Sequence, residues 1–267
     1  MNFIDNPFVD VRVCWQPLRD RSCLPTGLRL PALFFLTLLL LGLAGCGSTD
    51  GSHGYADRPP SNPTALVAWQ EWTRFGRSTV VYGGSANGYI NRAGVNEHSE
   101  PLNSRVGDYW GSCGHPEWNG RTSGRPWSGA FVSWVMIKSG VSPSAFPPAG
   151  RHGQYLMSLY DRAHGGRGSS FALHAPDEYA PKPGDLVCTG TAGPTWRYAD
   201  SRTAQRRIDN TASHCEIVTD VRGGFVHAVG GNVKDSVTMS LYPVDSRGRL
   251  VSTSGRLWMM VVENRAT

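Results

Sequence analysis

The second half of the chain consists of short runs rich in β-branched residues, and this pattern limits most strongly what the chain can fold into. Gly, Pro and Asp separate the runs, and Arg222-Gly223-Gly224 predicts a tight hairpin turn between two of them. Runs of this length between turn residues are typical of strands in an antiparallel sheet. The predicted strands are 184–188, 215–221, 225–229, 237–242 and 257–263.

Helical periodicity precedes these strands. Residues 127–139 carry apolar side chains at spacings of three and four, with Pro126 before the segment and Gly140 after it. The apolar positions are Trp127, Ala130, Phe131, Trp134 and Val135. Residues 65–75 predict a second, shorter helix. Helices followed by an antiparallel sheet indicate an α+β fold in a single domain.

The first 45 residues carry an export signal. Residues 30–44 form an apolar run that is shorter than the roughly 20 residues of a membrane-spanning helix, and arginines precede it. The run ends in Leu43-Ala44-Gly45-Cys46, which resembles the lipobox of bacterial lipoproteins. Residues 1–45 are therefore predicted to be a lipoprotein signal peptide, with Cys46 as the lipid acceptor.

A tether and one domain follow the signal peptide. Residues 46–63 contain almost no apolar side chain and predict a flexible tether, after which 64–267 form the domain. Gly47 follows Cys46 without an acidic retention residue. By resemblance to sorted lipoproteins, this implies lipid attachment to the bacterial outer membrane, with the domain on its periplasmic face.

Charge and residue spacing exclude some classes of partner. Without residues 1–45, which hold four Arg and three Asp, the net charge of +5 becomes +4, which is compatible with an anionic cell-wall polymer but too small to indicate a nucleic acid. Residues 189–213 form a long polar insertion, and loops of that length are uncommon unless they are functional or disordered. Its arginines lack the interleaved aromatic residues of a nucleic-acid surface. No His or Cys pair has metal-site spacing, so neither a metal nor another cofactor is implied.

Three cysteines remain after Cys46, and an exported protein meets an oxidising compartment. Cys188 ends one predicted strand and Cys215 begins the next, so the two can face each other across adjacent strands. A disulfide between them is predicted, which leaves Cys113 free. On sequence alone, Cys113 is an equally available partner.

A set of motifs in a fixed order points to chemistry. Pro126-Trp127-Ser128-Gly129-Ala130 begins the predicted helix, Ser213-His214-Cys215-Glu216 opens a strand, and Gly230-Gly231-Asn232 closes the next. This order resembles the papain-like amidase and peptidase superfamily that includes the CHAP and NlpC-type cell-wall hydrolases. It is most similar to an uncharacterised lipoprotein branch of that superfamily, a domain of unknown function.

The resemblance implies a papain-like fold and a catalytic triad. Ser128 would attack, His214 would act as base and then acid, and Asn232 would orient the imidazole, with Asp235 as a substitute. A nucleophile in the first helical turn also meets free N–H groups that stabilise an oxyanion. The implied reaction is hydrolysis of an amide bond in the peptide part of peptidoglycan.

The nucleophile departs from the pattern, because the superfamily normally has cysteine where this chain has Ser128. Serine depends wholly on its base, so the alternative is an inactive domain that binds wall material or a protein partner. Ser128 also fits an ordinary helix-start residue. A transferase using the same triad is a third possibility. Trp110, Trp127 and His152 are expected to bind substrate near the cleft.

Overall fold

Helices and strands account for most of the residues that the computed structural model describes. These residues are 58–83, 88–91, 95–122, 124–165, 168–191, 196–199, 204–253 and 256–267. The described residues all fall within one compact unit, Ser52–Thr267. The predicted signal peptide, Cys46 and the tether up to residue 57 lie outside the described residues.

Five helices and eight strands are present in this part of the chain. The helices are α1 (Pro63–Arg74), α2 (Leu102–Gly111), α3 (Ser128–Lys138), α4 (His152–His164) and α5 (Ala204–Asn210). The strands are β1 (Thr79–Val81), β2 (Gly88–Asn91), β3 (Phe171–His174), β4 (Leu186–Gly190), β5 (Ser213–Arg222), β6 (Phe225–Gly230), β7 (Thr238–Pro243) and β8 (Trp258–Asn264).

All eight strands join one sheet, in the order β2-β1-β7-β6-β5-β4-β8-β3. Neighbouring strands are antiparallel, except that β1 runs parallel to β7. The α+β class and the mostly antiparallel sheet expected from the sequence are confirmed. Strands β4 to β7 form the centre of the sheet, with β8 and β3 on one side and β1 and β2 on the other.

The hairpin between β5 and β6 forms at the expected place. Arg222 pairs with Phe225, so that only Gly223 and Gly224 make the turn. Both glycines have positive φ, at 58° and 80°, which a two-residue turn matching the twist of the strands requires. This turn sets the register that brings the end of β6 next to the start of β5.

Helix α3 is the central helix of the fold. Every residue from Ser128 to Met136 is buried, because α1, α2 and β5 all pack against it. The sequence predicted an apolar stripe on one face of 127–139, whereas the helix is buried on all faces. A helix that is covered on all sides carries apolar residues all round. Gly129 lies so close to the loop before α4 that an added Cβ would meet the Gly150 carbonyl oxygen at 2.5 Å.

Helix α1 begins where the predicted tether ends. Its first residue is Pro63, and the Asn62 side chain accepts a hydrogen bond from the Ala65 amide as the N-cap. Asn62 also donates to the Thr267 hydroxyl. Asn62 thus belongs structurally to the domain.

A disulfide joins Cys188 and Cys215, the pair expected from the sequence. The two residues are direct partners across β4 and β5, and both are fully buried. Cys113 is free and partly buried. Burial raises the pKa of its thiol.

Candidate active site

Two helices begin at one cavity of about 720 Å³. Ser128 is the first residue of α3 and His152 is the first residue of α4, and both line the cavity. The residues before them, Trp127 and Arg151, make no side-chain capping bond to either helix. No side chain therefore caps the first-turn N–H groups of either helix, although the Gln154 amide donates to the Arg151 carbonyl. Both helix dipoles place positive potential there.

Ser128 and His152 form a buried hydrogen-bonded pair. The Ser128 Oγ atom lies 2.6 Å from His152 Nε2. The other ring nitrogen, Nδ1, bonds the hydroxyl of Tyr155, three residues later on the same face of α4. A serine, a histidine and a tyrosine thus form one continuous hydrogen-bonded chain.

The protonation state of His152 follows from its surroundings. Burial lowers its pKa well below 6.5, and the nearby His214 lowers it further. His152 is therefore neutral near pH 7, with one acceptor and one donor nitrogen. When Nε2 accepts the Ser128 proton, Nδ1–H donates to the Tyr155 oxygen. Burial also raises the pKa of Tyr155 well above 10, which keeps it a neutral phenol.

A second histidine faces the same cavity. The ring of His214 lies 5.5 Å from that of His152, centroid to centroid, at an angle of 75°. Its Nε2 atom is 3.2 Å from Glu216 Oε1, two residues along β5 and on the same face of the strand. The cavity thus holds two imidazoles with different partners, a phenol for one and a carboxylate for the other.

The expected partners of Ser128 and His214 are corrected by the structure. The hydrogen bond of Ser128 goes to His152 rather than His214, because α4 begins beside the start of α3. The carboxylate of Glu216, rather than the amide of Asn232, holds the His214 ring. Asn232 lines the same cavity, in a left-handed conformation with φ of 58° at the end of β6.

Glu216 is itself held firmly. It is buried, and the hydroxyls of Ser240 and Tyr242 donate to Oε1 at 3.2 and 2.9 Å. Gly230 faces it across the β5–β6 pair, where an added Cβ would lie 2.6 Å from Glu216 Cγ and 3.1 Å from His214 Nε2. A glycine at this position therefore leaves the space in which Glu216 and His214 meet.

Of three tryptophans near the site, two line the cavity and one lies in the hydrophobic core. Trp110 and Trp118 line the cavity, with their rings edge to face at 4.8 Å. Trp127 does not line it: the side chain is fully buried and its Nε1 donates to Glu97. The substrate-binding role expected of Trp127 is therefore wrong. Its ring packs over Gly231, where a Cβ would come within 2.6 Å of it.

Two residues of the site were absent from the sequence expectations, Tyr155 and Glu216. Tyr155 follows His152 by three residues on a helix, and Glu216 follows His214 by two on a strand. Both spacings place the two side chains on one face of their element. The periodicity of the helix and of the strand could therefore have identified Tyr155 and Glu216 from the sequence.

Neither a metal-binding cluster nor a membrane-spanning helix occurs in the described part of the chain. It contains no group of three or more His, Cys, Asp or Glu side chains that could hold a metal ion. None of its helices is both long and apolar enough to cross a membrane.

The sequence matches a family model over more than half of its length. A family model described as "Uncharacterized protein conserved in bacteria (DUF2272)" matches residues 95–265. This range includes every residue that lines the cavity. No curated protein and no solved structure matches the chain.

Proposed function

The chain belongs to the bacterial DUF2272 family, and from the cavity we propose that it hydrolyses an amide bond with Ser128 as the nucleophile. The observation that carries this proposal is the 2.6 Å contact between Ser128 Oγ and a buried, neutral His152. It lies where two uncapped helices begin, in a cavity large enough for a short peptide.

The first step is attack by Ser128. Its oxygen forms a bond to the carbonyl carbon of the substrate while its proton passes to His152 Nε2. Tyr155 accepts the hydrogen bond from Nδ1–H and so fixes the tautomer that has a free Nε2 lone pair. The negative charge on the substrate oxygen faces the first-turn N–H groups of α3 and α4.

The second step releases the amine. The C–N bond breaks, and the nitrogen takes the proton that His152 carries, which returns His152 to its neutral form. His214, whose ring contacts Glu216, faces the same cavity beside His152. A water molecule then attacks the acyl-serine ester, His152 takes the water proton, and the carboxylic acid leaves with Ser128 restored.

The proposed substrate is the peptide part of peptidoglycan, and the proposed relation is to the papain-like CHAP and NlpC-type hydrolases. Ser128, which begins a helix at the place of the usual cysteine, supports the relation, as does His214 on the antiparallel sheet in the same cavity, although the base is His152 on α4. The net charge of +4 that remains without residues 1–45 supports an anionic polymer as the substrate.

The experiment that tests this proposal is amine release from purified muropeptides by the purified protein. Ser128→Ala and His152→Ala should each lower the rate by about a thousandfold or more, with little further loss in the double variant, because the two residues act as a unit. Ser128→Cys should retain activity, since a thiol needs less activation. Exposed residues supply matched controls, Ser144→Ala and His164→Ala, which should keep the wild-type rate.

A second candidate function, binding without catalysis, has one observation in its favour. Tyr155 is a neutral phenol, so no carboxylate stabilises a protonated His152 as it would in a Ser-His-Asp triad. If the wild type releases no amine yet binds muropeptides, and Ser128→Ala binds them equally well, the hydrolase proposal is wrong and binding is the function.

The proposed location is the periplasmic face of the outer membrane, through a lipid on Cys46. The apolar run 30–44 and the small residues before Cys46 support this proposal. Cys46→Ser should move the protein from the detergent-extracted membrane fraction to an unprocessed or soluble form. A wild-type protein whose mass shows a processed N-terminus without lipid would contradict it.

A further inference from the structure

We propose that the cavity selects substrates with a carboxylate beside the scissile amide, and that Arg125 and Arg151 bind this carboxylate. This inference rests on the proposed function, since it names the substrate class of the same site. It assigns roles to two residues that take no part in the chemical steps.

The charge of the cavity wall is one-sided. Arg125 and Arg151 both line the cavity, and no Asp or Glu is among its described lining residues. Glu216 is buried and contacts His214, and the exposed Glu117 contacts Nδ1 of His115. A substrate with a negative group therefore meets positive charge with no competing carboxylate on the wall.

The two arginines flank the reactive pair. Arg125 precedes Ser128 by three residues, and Arg151 immediately precedes His152 as the N-cap of α4. The guanidinium of Arg125 lies over the Trp118 ring, 4.8 Å from its centroid, which holds it against the wall. A carboxylate bound by these side chains would lie in the cavity that Ser128 and His152 also line.

The residue type and the backbone favour the same ligand. Guanidinium groups match the two oxygens of a carboxylate with paired N–H donors. The uncapped first turns of α3 and α4 add positive potential to the same space. A substrate with an ammonium group in this position would be repelled.

The test compares two peptides of nearly equal shape, N-acetyl-alanyl-glutamate α-amide and N-acetyl-alanyl-glutamine α-amide. The full-length Ser128→Ala protein in detergent binds without turnover, and tryptophan fluorescence reports occupancy because Trp110 and Trp118 line the cavity. The glutamate peptide should bind about tenfold more tightly. Added salt should reduce this preference.

Variants assign the preference to the two arginines. Arg125→Gln and Arg151→Gln should each reduce it, and the double variant should bind both peptides equally. Arg162→Gln is the matched control, an exposed arginine at the far end of α4, and should keep the full preference. Circular dichroism should show that all variants are folded, since both substituted side chains are exposed.

The outcomes separate this inference from the proposed function. Equal binding of the two peptides, or a preference that survives the double substitution, would overturn the carboxylate assignment even if the wild type cleaves muropeptides. If the preference for the glutamate peptide depends on the arginines but the wild type cleaves no muropeptide, the carboxylate assignment is supported and the hydrolase proposal is wrong.

Discussion

His152 is an unusual base, because its second nitrogen meets a phenol. A carboxylate there would stabilise the imidazolium, whereas Tyr155 offers one neutral hydrogen bond in a buried site. Because its pKa is low, His152 is neutral and can accept a proton, but it binds that proton weakly. The paired carboxylate belongs instead to the neighbouring imidazole, His214.

This division predicts an acid-tolerant activity. Neutral His152 is the reactive form, and its pKa lies well below 6.5, so kcat/KM should not fall until the pH drops well below 6.5. Tyr155→Phe removes the partner of Nδ1–H and should lower the rate by roughly tenfold. A pH profile of muropeptide cleavage measures both effects. An acid limb at or above 6.5 would show that another group is the base.

The sequence located the residues of the site but not their pairing. Motif order brought Ser128, His214 and Asn232 to one cavity, as expected. The partner of Ser128 lies 24 residues away on a different helix, and only the approach of the first turn of α4 to the first turn of α3 makes them neighbours. Local periodicity carries no information about that approach, which is why His152 was assigned to substrate binding instead.

At the scale of elements, the start of α3 is fixed by glycines on both sides. Gly129 touches the chain before α4, and Gly231 receives the ring of Trp127 and the side chain of Phe131. No wider residue fits at either contact without movement of a neighbour. The position of Ser128 relative to the sheet therefore depends on the packing of these small residues.

Gly231→Ala should consequently destabilise the protein. The new Cβ would lie 2.5 Å from Phe131 Cβ, and such overpacking typically costs about 1–3 kcal/mol. The urea midpoint of unfolding measures the loss. Gly111→Ala is the control, because it lies at the end of α2 with nothing within 4 Å of its added Cβ. Equal midpoints for the two variants would mean that the contact at Gly231 relaxes freely.

The long strands were predictable and the short ones were not. Each of the five predicted runs overlaps a strand, although β4 begins at Leu186 because Gly184 has φ of 98° in the preceding turn. By contrast, β1, β2 and β3 have only three or four residues, too few to show a period of two. Helix α4 was missed although its sequence carries apolar residues at helical spacing.

At the scale of the whole molecule, buried histidines link stability to pH. Burial lowers the pKa of His227 to about 4, with a contribution from Arg222, whereas an unfolded histidine titrates near 6.5. Between those values the unfolded chain takes up a proton that the folded chain does not. The contribution of His227 to stability should therefore be fully present above about pH 6.5 and be lost as the pH drops towards 4.

The loss attributable to His227 is up to about 3 kcal/mol by this linkage. Urea unfolding at pH 7.5 and pH 4.5 measures it. His227→Gln should show a smaller difference between the two pH values than the wild type, and the exposed His164→Gln should match the wild type. If His227→Gln shows the same difference between the two pH values as the wild type, the pKa of His227 is the same in the folded and unfolded states.

The bond between Cys188 and Cys215 turns the polar insertion into a closed ring of chain. Helix α5 lies within this ring, as do Thr191, Thr211, Ala212, Ser213 and His214 of the cavity wall. A single backbone break anywhere in the ring would leave the two pieces covalently joined, and β4 would still be tied to β5. A protease can thus cut this wall of the cavity once without releasing either piece. Such a cut would change the shape of the wall but leave it attached to the domain.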